Sequence, residues 1–193
     1  MVVEVVSHKL SLFHHRQTTQ CNWSRNIRAV EAAEIAGLHA HLRRLGPGCR
    51  RARFGCEVSD VFLGDYCGRV DRRNTLILGF FEAGELRGIA ELRSLRKDWC
   101  AEAEAAFSVE LPWQLQGVGT ALMVELLRAS PERGIEHIYL SCHVRNRPML
   151  RIAEKAAAVV RVEEDECFAD IRVRREPAPL QSNVPVGIVV MDL

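Results

Sequence analysis

A glycine turn between an apolar stretch and a helical pattern carries the clearest chemical signal. The chain runs from Phe107 into Gly117-Val118-Gly119 and then directly into a helix. The first amide groups of a helix have no partner within it, and the helix dipole adds partial positive charge there. Because glycine lacks a Cβ atom, an anion can approach this backbone closely. The turn predicts a phosphate site; the alternative is a glycine turn that only begins a helix.

Two familiar nucleotide motifs do not fit this turn. A P-loop requires Gly-Lys followed by Ser or Thr, and the sequence contains no Gly-Lys pair. A dinucleotide fingerprint requires glycine or alanine where Leu122 stands. The turn therefore predicts a phosphate ligand of another kind.

The elements that position the turn follow from hydrophobic periodicity. The pattern predicts the order β-α-α-β-β-β-α-β-α-β-β, in which Gly46-Pro47-Gly48 ends the first helix. A hairpin followed by β-α-β-α indicates a mixed sheet flanked by helices, an α/β (α+β) fold. The predicted strands cover about residues 26–30, 75–81, 86–92, 102–109, 137–143, 159–162 and 167–173, and the predicted helices begin near Ile35, Ser59, Gly117 and Asn146.

Length and composition limit the organisation of the chain. With 193 residues, 48% of them hydrophobic, the chain has room for one globular domain. We assign residues 26–175 to this domain, residues 1–25 to an N-terminal extension and residues 176–193 to a C-terminal tail. The end of the tail is apolar, and the pattern leaves open a last strand or a partner-facing segment.

Charge and hydropathy exclude several function classes. The formal net charge is +1, which argues against binding to nucleic acid. No apolar run is long enough to span a membrane, and the N-terminus lacks the pattern of a signal peptide. The seven cysteines form no C-x-x-C pair, and no H-E-x-x-H is present, so we expect no metal site. These features predict a soluble, cytoplasmic protein.

Two segments together resemble a known family. Gln114-x-x-Gly117-x-Gly119 fits the Q/R-x-x-G-x-G/A signature of the GNAT N-acetyltransferase superfamily. The segment Asn146–Lys155 is similar to a helix that follows in that superfamily. The resemblance covers residues 26–173 and implies a mixed, mostly antiparallel central sheet flanked by helices. Residues 42–54 also resemble part of a subgroup related to bacterial protein-lysine acetyltransferase domains.

The resemblance implies acetyl-CoA as the co-substrate. The backbone amides from Gln116 to Thr120 would hold the CoA pyrophosphate. The strand end from Phe107 to Val109 would splay from its neighbour and pair with the pantetheine, which Asn146 would also contact. The implied cofactor-binding residues are Phe107, Ser108, Val109, Gln114, Gln116, Gly117, Val118, Gly119, Thr120 and Asn146.

Transfer to an amine also requires a base, because the nucleophile must be neutral. The superfamily commonly uses a glutamate on the central strand, and Glu102 and Glu104 both qualify here. We prefer Glu104 because its neighbours are small and apolar, which predicts partial desolvation of the carboxylate. Glu91 on the preceding strand is a further candidate.

The general acid departs from the superfamily pattern. Many members carry a tyrosine at the position that aligns with Ala153. Water, Tyr139 or His143 remain as sources of the proton that the departing CoA thiolate would receive. The departure leaves room for a second hypothesis, a regulatory or interaction module that binds CoA without catalysis.

The acceptor has no motif of its own. The resemblance implies an amine, either on a protein lysine or on a small molecule. In the superfamily, specificity lies in the N-terminal helices and loops, here about residues 31–74. The oligomeric state stays open, with a homodimer as one option.

Overall fold

A sheet of seven strands organises residues 23–173, the part of the chain that this computed structural model describes. Most of the predicted extension and all of the predicted tail lie outside the described residues. The strands are β1 (Ile27–Ala29), β2 (Thr75–Glu82), β3 (Glu85–Ser94), β4 (Glu102–Val109), β5 (His137–His143), β6 (Val159–Glu163) and β7 (Glu166–Arg172). The helices are α1 (Ile35–Arg44), α2 (Pro47–Phe54), α3 (Asp60–Gly68), α4 (Val118–Ala129) and α5 (Arg147–Lys155).

The sheet is mixed and mostly antiparallel, which confirms the expected fold class. Its strand order is β1-β2-β3-β4-β5-β7-β6. The β4–β5 pair is parallel, and the other neighbouring pairs are antiparallel. A parallel pair requires a crossover, which α4 supplies between β4 and β5.

The sheet opens between its two central strands. Pairing of β4 with β5 covers only Glu102–Glu104 against His137–Tyr139. β4 stays paired with β3 up to Val109, whereas β5 pairs with β7 up to His143. The two halves of the sheet therefore diverge after Glu104, and a V-shaped gap lies between the ends of β4 and β5.

Two hydrophobic cores cover the faces of the sheet. One includes Leu122 and Leu126 of α4 with Ala153 of α5. The other includes Leu38 and Leu42 of α1 with residues of α3. None of the helices within residues 23–173 is long and apolar enough to cross a membrane.

The predicted element order lacked one helix. The sequence predicted a stop at Gly46-Pro47-Gly48 and no helix before Ser59, but α2 begins at Pro47 itself. Proline suits the first helical position, because its missing N–H would have no partner there anyway. Gly55, with φ of 76°, ends α2 in the left-handed conformation. The predicted helix start near Ser59 is confirmed, and the Ser59 side chain caps α3 by accepting a hydrogen bond from the Phe62 amide.

Candidate active site

The glycine turn forms as the sequence predicted. Gly117 precedes α4 with φ of 90°, a conformation that favours glycine over other residues. Gly119 lies against α5, where a Cβ atom would come within 2.9 Å of the Ile152 Cδ1 atom. The second glycine therefore also permits close packing of α4 on α5.

The amides of this turn have no internal acceptor. Among the described residues, none accepts a hydrogen bond from the backbone amides of Gln116 to Thr120. The first bond of the helix runs from the Ala121 amide to the Gly117 carbonyl, at 2.9 Å. The turn thus presents a run of free donors at the positive end of a twelve-residue helix.

A residue outside the predicted domain anchors the turn. Trp23 donates a hydrogen bond from Nε1 to the Gln116 carbonyl oxygen at 2.8 Å. Its ring packs edge-on against Phe80 and Trp113. No local pattern around Trp23 indicated this contact, because the partner lies far along the chain.

Gln114 ties the end of β4 to the turn. Its side-chain amide donates to the Val109 carbonyl at 2.8 Å and to the Cys49 sulfur at 3.3 Å. The glutamine of the signature thus has a structural role here, because it closes the loop that follows β4. Cys49 belongs to α2, so the same side chain also links that helix to the loop.

The gap between β4 and β5 contains two adjoining cavities. One has a volume of about 210 Å³ and is lined by the predicted cofactor residues of β4, with Gln114, Gly119 and Asn146. The other has a volume of about 610 Å³ and is lined by residues of α2 with Glu104, His143 and Asn146. Asn146 lies at the predicted helix start and caps α5 by accepting a hydrogen bond from the Met149 amide at 3.3 Å. The structure therefore brings the turn, the strand end and Asn146 to one cleft.

Glu104 lies in this cleft but not in the expected environment. The sequence predicted a partly desolvated carboxylate, and the structure instead shows an exposed residue. The prediction of desolvation was wrong because β5 turns away after the Glu104–Tyr139 pair and leaves this position open. Glu104 still lines the larger cavity, as does Arg53 of α2.

The other two candidate bases, Glu91 and Glu102, each accept hydrogen bonds from neighbouring side chains. Glu91 is 3% exposed and accepts hydrogen bonds from Arg53 at 2.6 Å, from Arg93 at 3.0 Å and from the Tyr66 hydroxyl. Glu102 accepts a hydrogen bond from the Tyr139 hydroxyl at 2.9 Å. Of the three candidates, Glu104 is the one whose carboxylate has no side-chain hydrogen-bond partner among residues 23–173.

The candidates for the acid differ in position. Ala153 is fully buried in the core and contributes no proton. The hydrogen bond to Glu102 raises the pKa of Tyr139, so this hydroxyl is held as a donor to that carboxylate. His143 is exposed and lines the larger cavity, where its Nδ1 accepts from the Arg145 amide at 3.1 Å.

Comparison with solved structures identifies similar folds. The GNAT domain of S. lividans PAT is 18% identical, with a TM-score of 0.65 over 76% of this chain and 89% of that one. The ribosomal-protein-S18-alanine N-acetyltransferase of Escherichia coli is 16% identical, with a TM-score of 0.60 over 80% and 97%. The yncA protein of Salmonella typhimurium, solved with its cofactor acetyl-CoA, is 16% identical, with a TM-score of 0.60 over 79% and 96%.

Two sequence comparisons were informative to different degrees. A search of curated proteins found no match to the chain, whereas a family model agrees with the fold. Residues 41–158, which run from the end of α1 to beyond α5 and include the glycine turn and Asn146, match the acetyltransferase (GNAT) family. The chain belongs to the GNAT acetyltransferase family.

Proposed function

We propose that the protein transfers an acetyl group from acetyl-CoA to an amine of a protein lysine or a small molecule. The observation that carries this proposal is the run of free amides from Gln116 to Thr120, which opens onto the gap between β4 and β5. An anion-binding turn and an extended slot side by side suit a ligand with a pyrophosphate and a long amide-containing arm.

The turn fits the pyrophosphate of CoA. Five consecutive backbone amides without internal acceptors supply donors, and the α4 dipole favours negative charge beside them. Gly117 keeps the approach open, because a Cβ atom there would lie no closer than 4.0 Å to Trp23.

The strand end fits the pantetheine arm. The Glu110 amide donates to the Arg87 carbonyl on β3, so alternation directs the main-chain groups of Phe107 and Val109 towards the gap. Two pantetheine amides can pair with these groups as an added strand would. Asn146, which lines the same cavity, supplies a further polar contact.

Glu104 is the base in this proposal. Its carboxylate lines the larger cavity beyond the end of the pantetheine slot, where an acceptor amine would approach. Because the residue is exposed, proton removal through an intervening water fits its position. The thiolate leaving group then receives its proton from solvent or from His143, which lines the same cavity.

A second candidate function is a module that binds CoA without transferring the acyl group. The fully buried Ala153 supports it, because no acid stands at that position of α5. Both functions require the turn, and only the first requires Glu104.

Calorimetry of acetyl-CoA binding tests the proposal, with Gly117→Glu as the blocking variant. The added carboxylate repels the pyrophosphate, and the left-handed backbone is strained by any side chain. Gly134→Glu is the matched control, because Gly134 also has a positive φ of 73° and a Cβ atom placed there would have no neighbour within 4 Å. We expect the wild type and Gly134→Glu to bind and Gly117→Glu to lose binding; equal binding by all three would contradict the site.

Acetylation of an amine panel then separates the two functions. Under the transferase proposal, the wild type acetylates at least one amine and Glu104→Gln is much slower. Binding of acetyl-CoA without transfer to any amine would favour the non-catalytic module.

A further inference from the structure

One edge of β4 has no neighbouring strand beyond Glu104. β5 pairs with β4 only up to that residue, whereas β4 continues to Val109 with β3 alone. The open edge is the one that the pantetheine arm would occupy under the proposed function. Strand ends with few partners open readily, so other contacts must hold this one in place.

A single imidazole from α1 holds two side chains of this strand end. Ser108 Oγ lies 2.9 Å from His41 Nε2, and Glu110 Oε1 lies 3.0 Å from His41 Nδ1. Ser108 and Glu110 are two residues apart, so they project from the same face of the chain towards α1. Val109, which lies between them, is therefore held on both sides by one ring.

The protonation states define the direction of these bonds. Burial lowers the pKa of His41, although Glu110 opposes the shift, so the imidazole is neutral. An ionised carboxylate only accepts, so Nδ1 donates to Glu110 and Nε2 accepts from the Ser108 hydroxyl. Arg44, at 2.8 Å, and Arg87, at 3.1 Å, also donate to Glu110 and keep it ionised.

The imidazole lies on a firmly packed part of α1. His41 is 0% exposed, and so are Leu38 and Leu42 beside it on the helix. Arg44, three residues after His41, also donates to the Leu86 carbonyl of β3 at 2.7 Å. α1 is therefore bonded to both β3 and the end of β4, and its position fixes that of the strand end.

The residues bonded to His41 alternate with those that would bind the cofactor. The side chains of Ser108 and Glu110 face α1, whereas the main-chain groups of Phe107 and Val109 face the gap. All but Glu110 line the smaller cavity. A shift of the strand end would move the pantetheine-binding groups with it, and a strand that is ordered in advance costs less to bind.

We propose that His41 is a positioning residue for acetyl-CoA, because its imidazole holds Ser108 and Glu110 and so keeps the end of β4 in the course that receives the pantetheine arm. The ring is fully buried, so it acts through the strand and touches no ligand. This inference rests on the proposed binding of acetyl-CoA in the cleft, but not on Glu104 or on any amine.

Two ligands separate the pantetheine slot from the glycine turn. Acetyl-CoA has both a pyrophosphate and a pantetheine arm, whereas 3′-phospho-ADP is its nucleotide half and lacks the arm. Calorimetry on the full-length protein gives the dissociation constant of acetyl-CoA, and competition against acetyl-CoA gives that of 3′-phospho-ADP. A variant that only damages the fold would weaken both.

The variants remove either side of one hydrogen bond. We expect Ser108→Ala and His41→Leu each to weaken acetyl-CoA binding about tenfold, the equivalent of ordering the backbone of one residue, and to change 3′-phospho-ADP binding less than about twofold. In amine acetylation, His41→Leu should raise KM for acetyl-CoA and leave kcat unchanged. Ser108→Ala removes only a hydroxyl, so it keeps the test valid if His41→Leu does not fold.

A double variant and a control complete the experiment. Ser108→Ala and His41→Leu break the same bond, so the double variant should bind acetyl-CoA no more weakly than the weaker single variant. Ser94→Ala removes another buried serine hydroxyl, one that donates to the Asp98 carbonyl, and should bind both ligands as the wild type does.

The contrary results are distinct. An equal loss of affinity for both ligands, or no loss for either, would overturn the positioning role and leave the proposed binding of acetyl-CoA standing. Additive losses in the double variant would do the same, because the two residues would then act separately. A wild type that does not bind acetyl-CoA would overturn both proposals.

Discussion

Glu104 and Tyr139 form the last residue pair between the two parallel central strands, and the sheet opens directly beyond them. One side chain of the pair lines the cleft, whereas the other donates its hydroxyl to Glu102. Because the strands diverge after this pair, the Glu104 carboxylate faces the cleft, whereas that of Glu102 is bonded to Tyr139.

Replacement of Glu104 tests that assignment. We expect Glu104→Gln to reduce kcat for amine acetylation by about 100-fold or more, because the variant has no carboxylate to accept the proton. Binding of acetyl-CoA should not change. Glu102→Gln is the matched control on the same strand and should retain most activity; the reverse ranking of the two variants would assign the base to Glu102.

Replacement of Trp23 tests whether its hydrogen bond to the glycine turn supports acetyl-CoA binding. Trp23→Phe keeps an aromatic ring against Phe80 and removes the hydrogen bond to the Gln116 carbonyl. We expect acetyl-CoA affinity to fall about fivefold, the equivalent of one hydrogen bond of about 1 kcal/mol. Trp99→Phe, whose ring lies under the Arg133 guanidinium, is the control and should bind as the wild type does. Unchanged affinity in Trp23→Phe would show that the turn does not depend on this anchor.

The ion pair between Arg53 and Glu91 attaches α2 to the sheet. Their side chains are 8% and 4% exposed, so Arg53→Met leaves a buried carboxylate with one cation fewer. We expect a loss of about 3 kcal/mol in the free energy of unfolding, measured by chemical denaturation. Arg51→Met, on the exposed side of α2, should change it by less than about 1 kcal/mol. Equal losses in the two variants would contradict a structural role for the buried pair.

Acidic pH should destabilise the protein through His41. Burial holds the pKa of His41 below its ordinary value, so the unfolded chain binds a proton more readily than the folded one. Stability from this group is complete above the unfolded pKa of about 6.5 and is lost as pH falls below it. The pKa of Glu110 is lowered overall, because hydrogen bonds from His41 and Arg44 outweigh the opposing effect of burial. Protonation of Glu110 therefore adds a further loss of folding stability at still lower pH.

Denaturation curves at pH 7.5 and pH 5.5 measure this dependence. We expect wild-type stability to fall between these values and the fall to be smaller in His41→Gln, which has no proton to gain. The same decrease in both proteins would assign the pH dependence to other groups.

Local patterns predicted the elements that frame the cleft. The bounds of β4 and β5 match the prediction, and in β5 the alternation of residue types marks a half-buried strand. α4 begins directly after Gly117, at the predicted helix start. Asn146 caps α5 as its side chain favours. These features depend on residues that are close together in the chain, so the sequence was sufficient to predict them.

Features that depend on distant residues were missed. The exposure of Glu104 follows from the course of β5, which no pattern within β4 indicates. The start of α2 was misread because Gly-Pro-Gly favours a turn, although proline also suits a helix start. Trp23 meets Gln116, and His41 meets Ser108, only after the chain has folded. A histidine on α1 and a serine on β4 carry no spacing that links them.

The most direct test of the account is an amide NMR titration of the full-length protein with acetyl-CoA. We predict that the largest shifts fall on the backbone amides from Gln116 to Thr120, with further shifts at Phe107 and Val109. Saturable shifts confined to other parts of the chain, with these amides unmoved, would contradict the proposed site.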